Sequence, residues 1–132
     1  MKKTVRLFGL FCSMTFATVG AVFLLAPEGV ISFFNSLSPV FHLNQAPVVF
    51  PGFFLILSVG YMYIVTLIAC QIFRNPENPI FLLLLANAKL ASSLLSLFLI
   101  FRDNLYLIYF ANFLVDGLIG AAAIYFYLKI KI

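Results

Sequence analysis

RNPENPIFLLLLANAKLASSLLSLFLIFRDN, residues 74–104, holds two polar turns and, between them, an apolar run interrupted by one charge, Lys89. The first turn, Arg74-Asn75-Pro76-Glu77-Asn78-Pro79, packs two prolines, two asparagines and two charges into six residues, a composition that punctuates regular structure. From about residue 80 to 101 the run is long enough to cross a hydrocarbon layer of about 30 Å as a helix. Arg102-Asp103-Asn104 then makes a second, tighter turn. A turn that short forces the helices on either side of it to lie antiparallel and adjacent.

The rest of the chain has the same character. Of 132 residues, 64% are hydrophobic and only 9% charged, and the mean hydropathy is +1.15. A water-soluble domain of this size needs far more charge on its surface, so lipid is the expected solvent. The length accommodates one transmembrane domain, residues 1–132, of four spans at roughly 20 residues each. Working outward from 74–104, the spans fall at about 5–27, 51–73, 80–101 and 105–128. Seventeen Phe and six Tyr with no Trp make Tyr the main aromatic available for the membrane interface. The expected fold class is all-α, an integral membrane four-helix bundle.

The uncharged stretch from Gly29 to Phe73 is too long for one helix. Pro39, Pro47 and Pro51, with Asn35, His42, Asn44 and Gln45, divide it into a polar-flecked connection and the second span. Within that connection, residues 28–35 suit a short interfacial helix whose Phe33 and Phe34 dip into lipid. His42, the only histidine, reads as a surface residue. The opening Met1-Lys2-Lys3 followed by an apolar run resembles a secretory leader, but the run is long and lacks a clean small-x-small site, so a retained first helix is expected.

Basic residues set the orientation. Lys2, Lys3, Arg6, Arg74, Lys129 and Lys131 lie on one side of a four-span arrangement, and Arg102 alone lies on the other. By the positive-inside rule, both ends of the sequence and the 74–79 turn face the cytoplasm, N-in and C-in, in a cytoplasmic (inner) membrane. Anionic headgroups are the natural contact for that basic rim. The basic residues are scattered and carry no recognition motif, so no nucleic-acid partner is expected.

Lys89 and Asp116 are the candidate functional residues. A charge at mid-bilayer costs roughly 2.5–3.5 kcal/mol on insertion scales, so such groups face a bundle interior and pair. Lys89 lies about 15 Å from the inner start of the third span, and Asp116 about 18 Å from the inner end of the fourth, at 1.5 Å per residue. The two depths nearly coincide. Ala86, Lys89, Ser93 and Ser96 form one helical stripe, and Asn112, Asp116 and Gly120 another. Gly60 and Tyr61 fall at a similar depth, with Tyr63 and Thr66 close by. The expected polar centre is therefore Lys89, Asp116, Asn112, Ser93 and Tyr61, with Asn112, Ser93 or Tyr61 hydrogen-bonding the ion pair and Leu, Ile and Phe turned to lipid. Such a centre either fixes helix register or lines a cavity for a headgroup, a ring or a proton. Sealing of the pair by packed apolar residues would favour the first use, an open lateral cleft beside Lys89 the second.

Other chemistries find no residues. Cys12 and Cys70 form no Cys-x-x-Cys pair and read as small packing residues. There is no cluster with metal-ligand spacing, no Gly-rich phosphate loop and no nucleophile elbow, so no metal, cofactor or catalytic residue is assigned. Gly117 and Gly120 with Ala121-Ala122-Ala123 make a small-residue patch suited to close helix packing, within the chain or against another subunit.

Ala-Pro-Glu-Gly at 26–29 closing the first span, the Pro-bracketed turn 74–79, Lys89 in the third span and Asp116-Gly117 in the fourth together resemble the DoxX-like group of small four-helix membrane proteins. The likeness runs from about residue 7 to 128. It implies an inner-membrane four-helix bundle, in some members a small subunit of an oxidoreductase or redox-stress complex, with Lys89 and Asp116 as the intramembrane pair. Bundles of the vitamin K epoxide reductase type need a cysteine pair, which is lacking here. Sterol-isomerase bundles use several intramembrane acids and histidines, of which only Asp116 has a counterpart. The expected role is therefore non-catalytic: an accessory or structural subunit, or a binder of a lipophilic ligand, in contact with the bilayer and with a membrane-protein partner or a second copy. A membrane enzyme, or a transporter of a small solute or protons that uses the Lys–Asp pair directly, is the competing class.

Overall fold

The structure, a computed structural model, describes residues 1–47 and 52–131. It is all-helical: α1 over Lys2–Leu25, α2 over Pro27–Leu37, a 3-10 turn over Ser38–Phe41, α3 over Gly52–Arg74, α4 over Pro79–Arg102 and α5 over Leu107–Lys131. Four of these, α1, α3, α4 and α5, are long and apolar enough to cross a membrane. A 24-residue helix such as α4 is about 36 Å long, enough to cover the hydrocarbon core with a turn to spare. The chain is a multi-pass membrane protein, and its four long helices form a bundle. The expected second-span start at residue 51 lies outside the described residues.

The helix boundaries have local causes. The first span ends at Leu25 rather than at residue 27, because the residue before a proline is driven out of the α region. Ala26 accordingly sits at φ −144°, ψ 61°, and Pro27 opens α2 at its first position. Asn78 caps α4, its side chain accepting from the Ile80 N–H, with Pro79 at the first helical position, where a missing N–H matters least. The second turn is longer than three residues. Asn104 accepts from the Leu105 N–H and Tyr106 bridges to Asn44, so α5 starts at Leu107. At that exposed corner Arg102 holds both Asp103 oxygens, 2.8 and 3.1 Å away, which keeps the Asp103 carboxyl below its ordinary range.

Packing divides the bundle into two tight pairs. α1 lies along α3, α4 lies along α5, and a lighter α3–α4 contact joins them. Glycine sets the closeness of both pairs. A Cβ on Gly9 would meet the Phe73 backbone nitrogen at 2.6 Å and the Ala69 carbonyl at 2.9 Å; one on Gly120 would meet Leu90 at 2.7 Å. Gly117 faces Ser93 and Ala123 is fully buried. Gly117 and Gly120 of the small-residue patch on the fourth span are thus used within the chain, against α4, while Ala121 is exposed.

The core lies toward the end that carries both chain ends. Val5 and Cys12 of α1, Ala69 and Ile72 of α3, Leu82 and Leu85 of α4 and Ala123 of α5 are buried together. At the rim of that end Lys2 pairs with Glu77 at 2.9 Å, and Arg6 lies over the Phe73 ring. Both contacts are exposed and add little. Cys12 and Cys70 are free thiols.

At the other end α2 runs from the top of α1 to α5. Ile31 is its buried anchor, and Phe33 is exposed while Phe34 is half-buried. The connection beyond it is pinned by Asn35, whose side chain donates to the Ala46 carbonyl and accepts from the Ala46 N–H. His42 is exposed in a left-handed conformation at φ 57°.

Gly9 therefore supports a close approach that no larger residue permits, whereas Gly60 faces open space. Gly9→Val should destabilise the purified protein by about 1–3 kcal/mol through overpacking, and Gly60→Ala should leave it unchanged. Thermal unfolding in detergent micelles reads both; equal melting of the two variants would contradict the packing described.

Candidate functional site: an ion pair on the floor of a lateral cleft

Lys89 enters from the middle of α4 and Asp116 from the middle of α5. Their side chains meet at 3.4 Å, Nζ to Oδ1, with 3% and 8% of the side-chain surface exposed. The separation is longer than a charge-assisted hydrogen bond, which runs at about 2.7–2.9 Å. The reason lies on the other side of the ammonium. Nζ is 4.1 Å from the centre of the Phe16 ring and 5.3 Å from that of Tyr61, both within cation–π range. One carboxylate oxygen and two aromatic faces thus share the ammonium in a region that water does not stabilise.

The α4 stripe is buried as its spacing requires: Ala86, Lys89, Ser93 and Ser96 are all 7% exposed or less. On α5, Asp116 and Gly120 are buried, but Asn112 is exposed. The expected hydrogen bonds from Ser93, Tyr61 and Asn112 to the ion pair are not formed. Ser93 Oγ donates to the Phe113 carbonyl at 2.8 Å and Tyr61 Oη to the Ala88 carbonyl at 3.1 Å. Asn112 Nδ2 donates to Ser92 Oγ at 3.1 Å and Ser96 Oγ at 2.6 Å. The Tyr61 bond ties α3 to α4, and the Ser93 and Asn112 bonds staple α4 to α5 one turn outward from the pair. They lock the two helices in register and leave the ion pair to itself.

Gly60, expected beside this centre, faces away from it, because one residue along a helix rotates the side chain by about 100° and Tyr61 takes the inward direction. Tyr63 is 62% exposed, and Thr66 bonds the Met62 carbonyl of its own helix.

Above the pair lies a cleft of about 700 Å³. Its floor includes Lys89, Asp116 and Tyr61; α1 and α5 form its walls, and α2 spans its top through Gly29, Val30, Phe33 and Phe34. The wall residues Val19 and Val22 on α1 and Val115 on α5 are between 38% and 53% exposed. The cleft thus opens sideways, where α1 and α5 diverge. Toward the core end those helices close again, the Phe8 and Phe126 rings approaching to 5.1 Å. The volume falls in the range of about 300–1,000 Å³ typical of small-molecule sites.

Sequence reasoning missed Phe16, Ser92 and the contribution of α2. Phe16 lies on the buried stripe Val5, Gly9, Cys12, Phe16, Gly20, a period legible in principle. With seventeen Phe in the chain, nothing marks this one as the ring beneath a lysine.

No protein-family model matches the chain, nor does any curated protein or solved structure.

The pairing makes a signed prediction. Asp116→Leu leaves an ammonium alone at mid-bilayer and should lower stability by about 3–5 kcal/mol, the range for breaking a buried pair. Lys89→Met with Asp116→Leu removes both charges and should recover most of that loss. Yield and unfolding midpoint of the two variants in micelles measure it; a double variant no more stable than the single would show that the groups are not coupled.

Proposed function

We propose that this protein binds a lipophilic molecule, taken from the bilayer through the α1–α5 opening and seated against Lys89 and Asp116. The observation that carries this reading is that the ion pair lines an open, otherwise apolar cleft. A pair serving register alone needs no such opening, and the Asn112–Ser92–Ser96 bonds already tie α4 to α5. Apolar walls with a few converging polar groups suit a ligand whose body is hydrocarbon and whose end is polar.

The membrane we assign is the cytoplasmic (inner) one, with both ends of the sequence inside, on the strength of the six basic residues at that end against Arg102 at the other. The cleft then opens to the outer half of the bilayer. Membership of the DoxX-like group is part of the same proposal, supported by the 26–29 and 74–79 motifs together with Lys89 and Asp116. It makes an accessory subunit of a larger membrane complex the second reading, and direct use of the pair by an enzyme or transporter the third. No residue is assigned a catalytic role.

Extraction into native-lipid nanodiscs followed by mass spectrometry of everything retained tests the proposal. A lipophilic molecule should accompany the wild type near one per chain, and should be lost on Ala111→Phe, which fills the cleft and leaves both charges in place. A wild type that retains no lipophile, or one retained equally by the filled variant, would refute it. A protein recovered at fixed stoichiometry in place of a lipophile would establish the accessory-subunit reading.

A further inference from the structure

Resting on that reading, we infer that the cleft selects a neutral hydroxyl-bearing lipophile, a long-chain or ring alcohol or a phenol, which donates its O–H to the free oxygen of Asp116. Asp116 Oδ1 takes the Lys89 contact, and Oδ2 has no hydrogen-bond partner among the described residues. None of their buried side-chain oxygens is unpartnered, so Oδ2 is open, and the space beside it is the cleft.

The neighbouring donors are committed. The Tyr61 and Ser93 hydroxyls donate to the Ala88 and Phe113 carbonyls. Ser96 gives its own hydrogen to the Ser92 carbonyl. The Asn112 atom 2.6 Å from Ser96 Oγ must therefore be the amide nitrogen, and both Asn112 bonds are donations. That leaves Asn112 Oδ1 as an acceptor one turn beyond Asp116 on the same face of α5. Lys89, the one strong donor at the floor, is covered by Phe16 and Tyr61. The hydroxyls of Thr15 and Ser58 on the walls can act either way, and that of Ser92 is already taken by the Asn112 amide. The groups with a fixed sense are acceptors, and an acceptor calls for a donor.

Charge narrows the class further. Lys89 and Asp116 neutralise each other, so a carboxylate, phosphate or ammonium head would add an unbalanced charge at a depth where it is expensive. A hydroxyl adds none and forms a hydrogen bond to an ionised group, among the stronger kinds available.

The test uses the full chain in phosphatidylcholine nanodiscs and three photoreactive diazirine probes of one chain length: a hexadecanol, its methyl ether and the corresponding acid. The ether keeps an acceptor oxygen and loses only the donor. The alcohol should crosslink residues 15–23 and 108–119 about tenfold more than the ether or the acid, equivalent to about 1.4 kcal/mol. In the Lys89→Met/Asp116→Leu variant the ether should label as well as the alcohol, and the cleft should still be labelled by both. Equal wild-type labelling by alcohol and ether overturns the donor assignment while leaving the binding reading in place. Preference for the acid overturns the neutral-head argument. Failure of every probe to reach the cleft overturns the binding reading itself, and the wild-type comparison decides the matter even if the double variant does not fold.

Discussion

An ammonium and a carboxylate in the middle of an apolar helix pair have to find each other, and the fold is arranged around that requirement. Lys89 and Asp116 stand 27 positions apart on antiparallel neighbours, and only one relative sliding of α4 and α5 brings them to one depth. Gly120 against Leu90 and Gly117 against Ser93 let the backbones come close enough for short side chains to bond across. Asn112 with Ser92 and Ser96, and Ser93 with the Phe113 carbonyl, then hold that register. In lipid there is no water to rescue a slipped pairing, so each of these polar contacts favours the same alignment.

The two helix pairs diverge above the ion pair and close below it. Below, Val5, Cys12, Ile72, Leu82, Leu85 and Ala123 fill the interior. Above, Val19, Val22 and Val115 line a gap that α2 roofs without filling. The break at Ala26–Pro27 places that roof, because it turns the chain off the α1 axis at the end of that helix. Lys89 and Asp116 sit at the boundary, both on the floor of the cleft, with the ammonium against the Phe16 and Tyr61 rings.

Much of this was legible in the chain, and for physical reasons. Charge scarcity and the two polar turns set four spans, and the small gap in depth between Lys89 and Asp116 brought them together. The 3.6-residue period correctly buried Ala86, Ser93 and Ser96. It set Asn112 on the face of Asp116, where it lines the same cleft, but could not place Gly60, because on helices apolar all round a single small residue does not identify the inward face. Nor could it show which hydrogen bonds form: Ser93, Tyr61 and Asn112 are all near the pair, yet each satisfies backbone or another hydroxyl. The cleft and the ring of Phe16 depend on how far α1 and α5 separate, a three-dimensional quantity with no local signature. The short helix after the first span was readable from residues 28–35 with Phe33 and Phe34, but its place across the cleft was not.

The bundle and its cleft are built on a charged Lys89 in contact with Asp116 inside the membrane. Solid-state NMR of protein in lipid bilayers, with ¹⁵N in the lysine side chains and ¹³C in the aspartate carboxyls, measures this directly. A dipolar coupling between Lys89 Nζ and the Asp116 carboxyl consistent with the 3.4 Å Nζ–Oδ1 separation is expected, together with an ammonium shift for Lys89. Absence of that coupling, or a neutral-amine shift, would contradict that pairing.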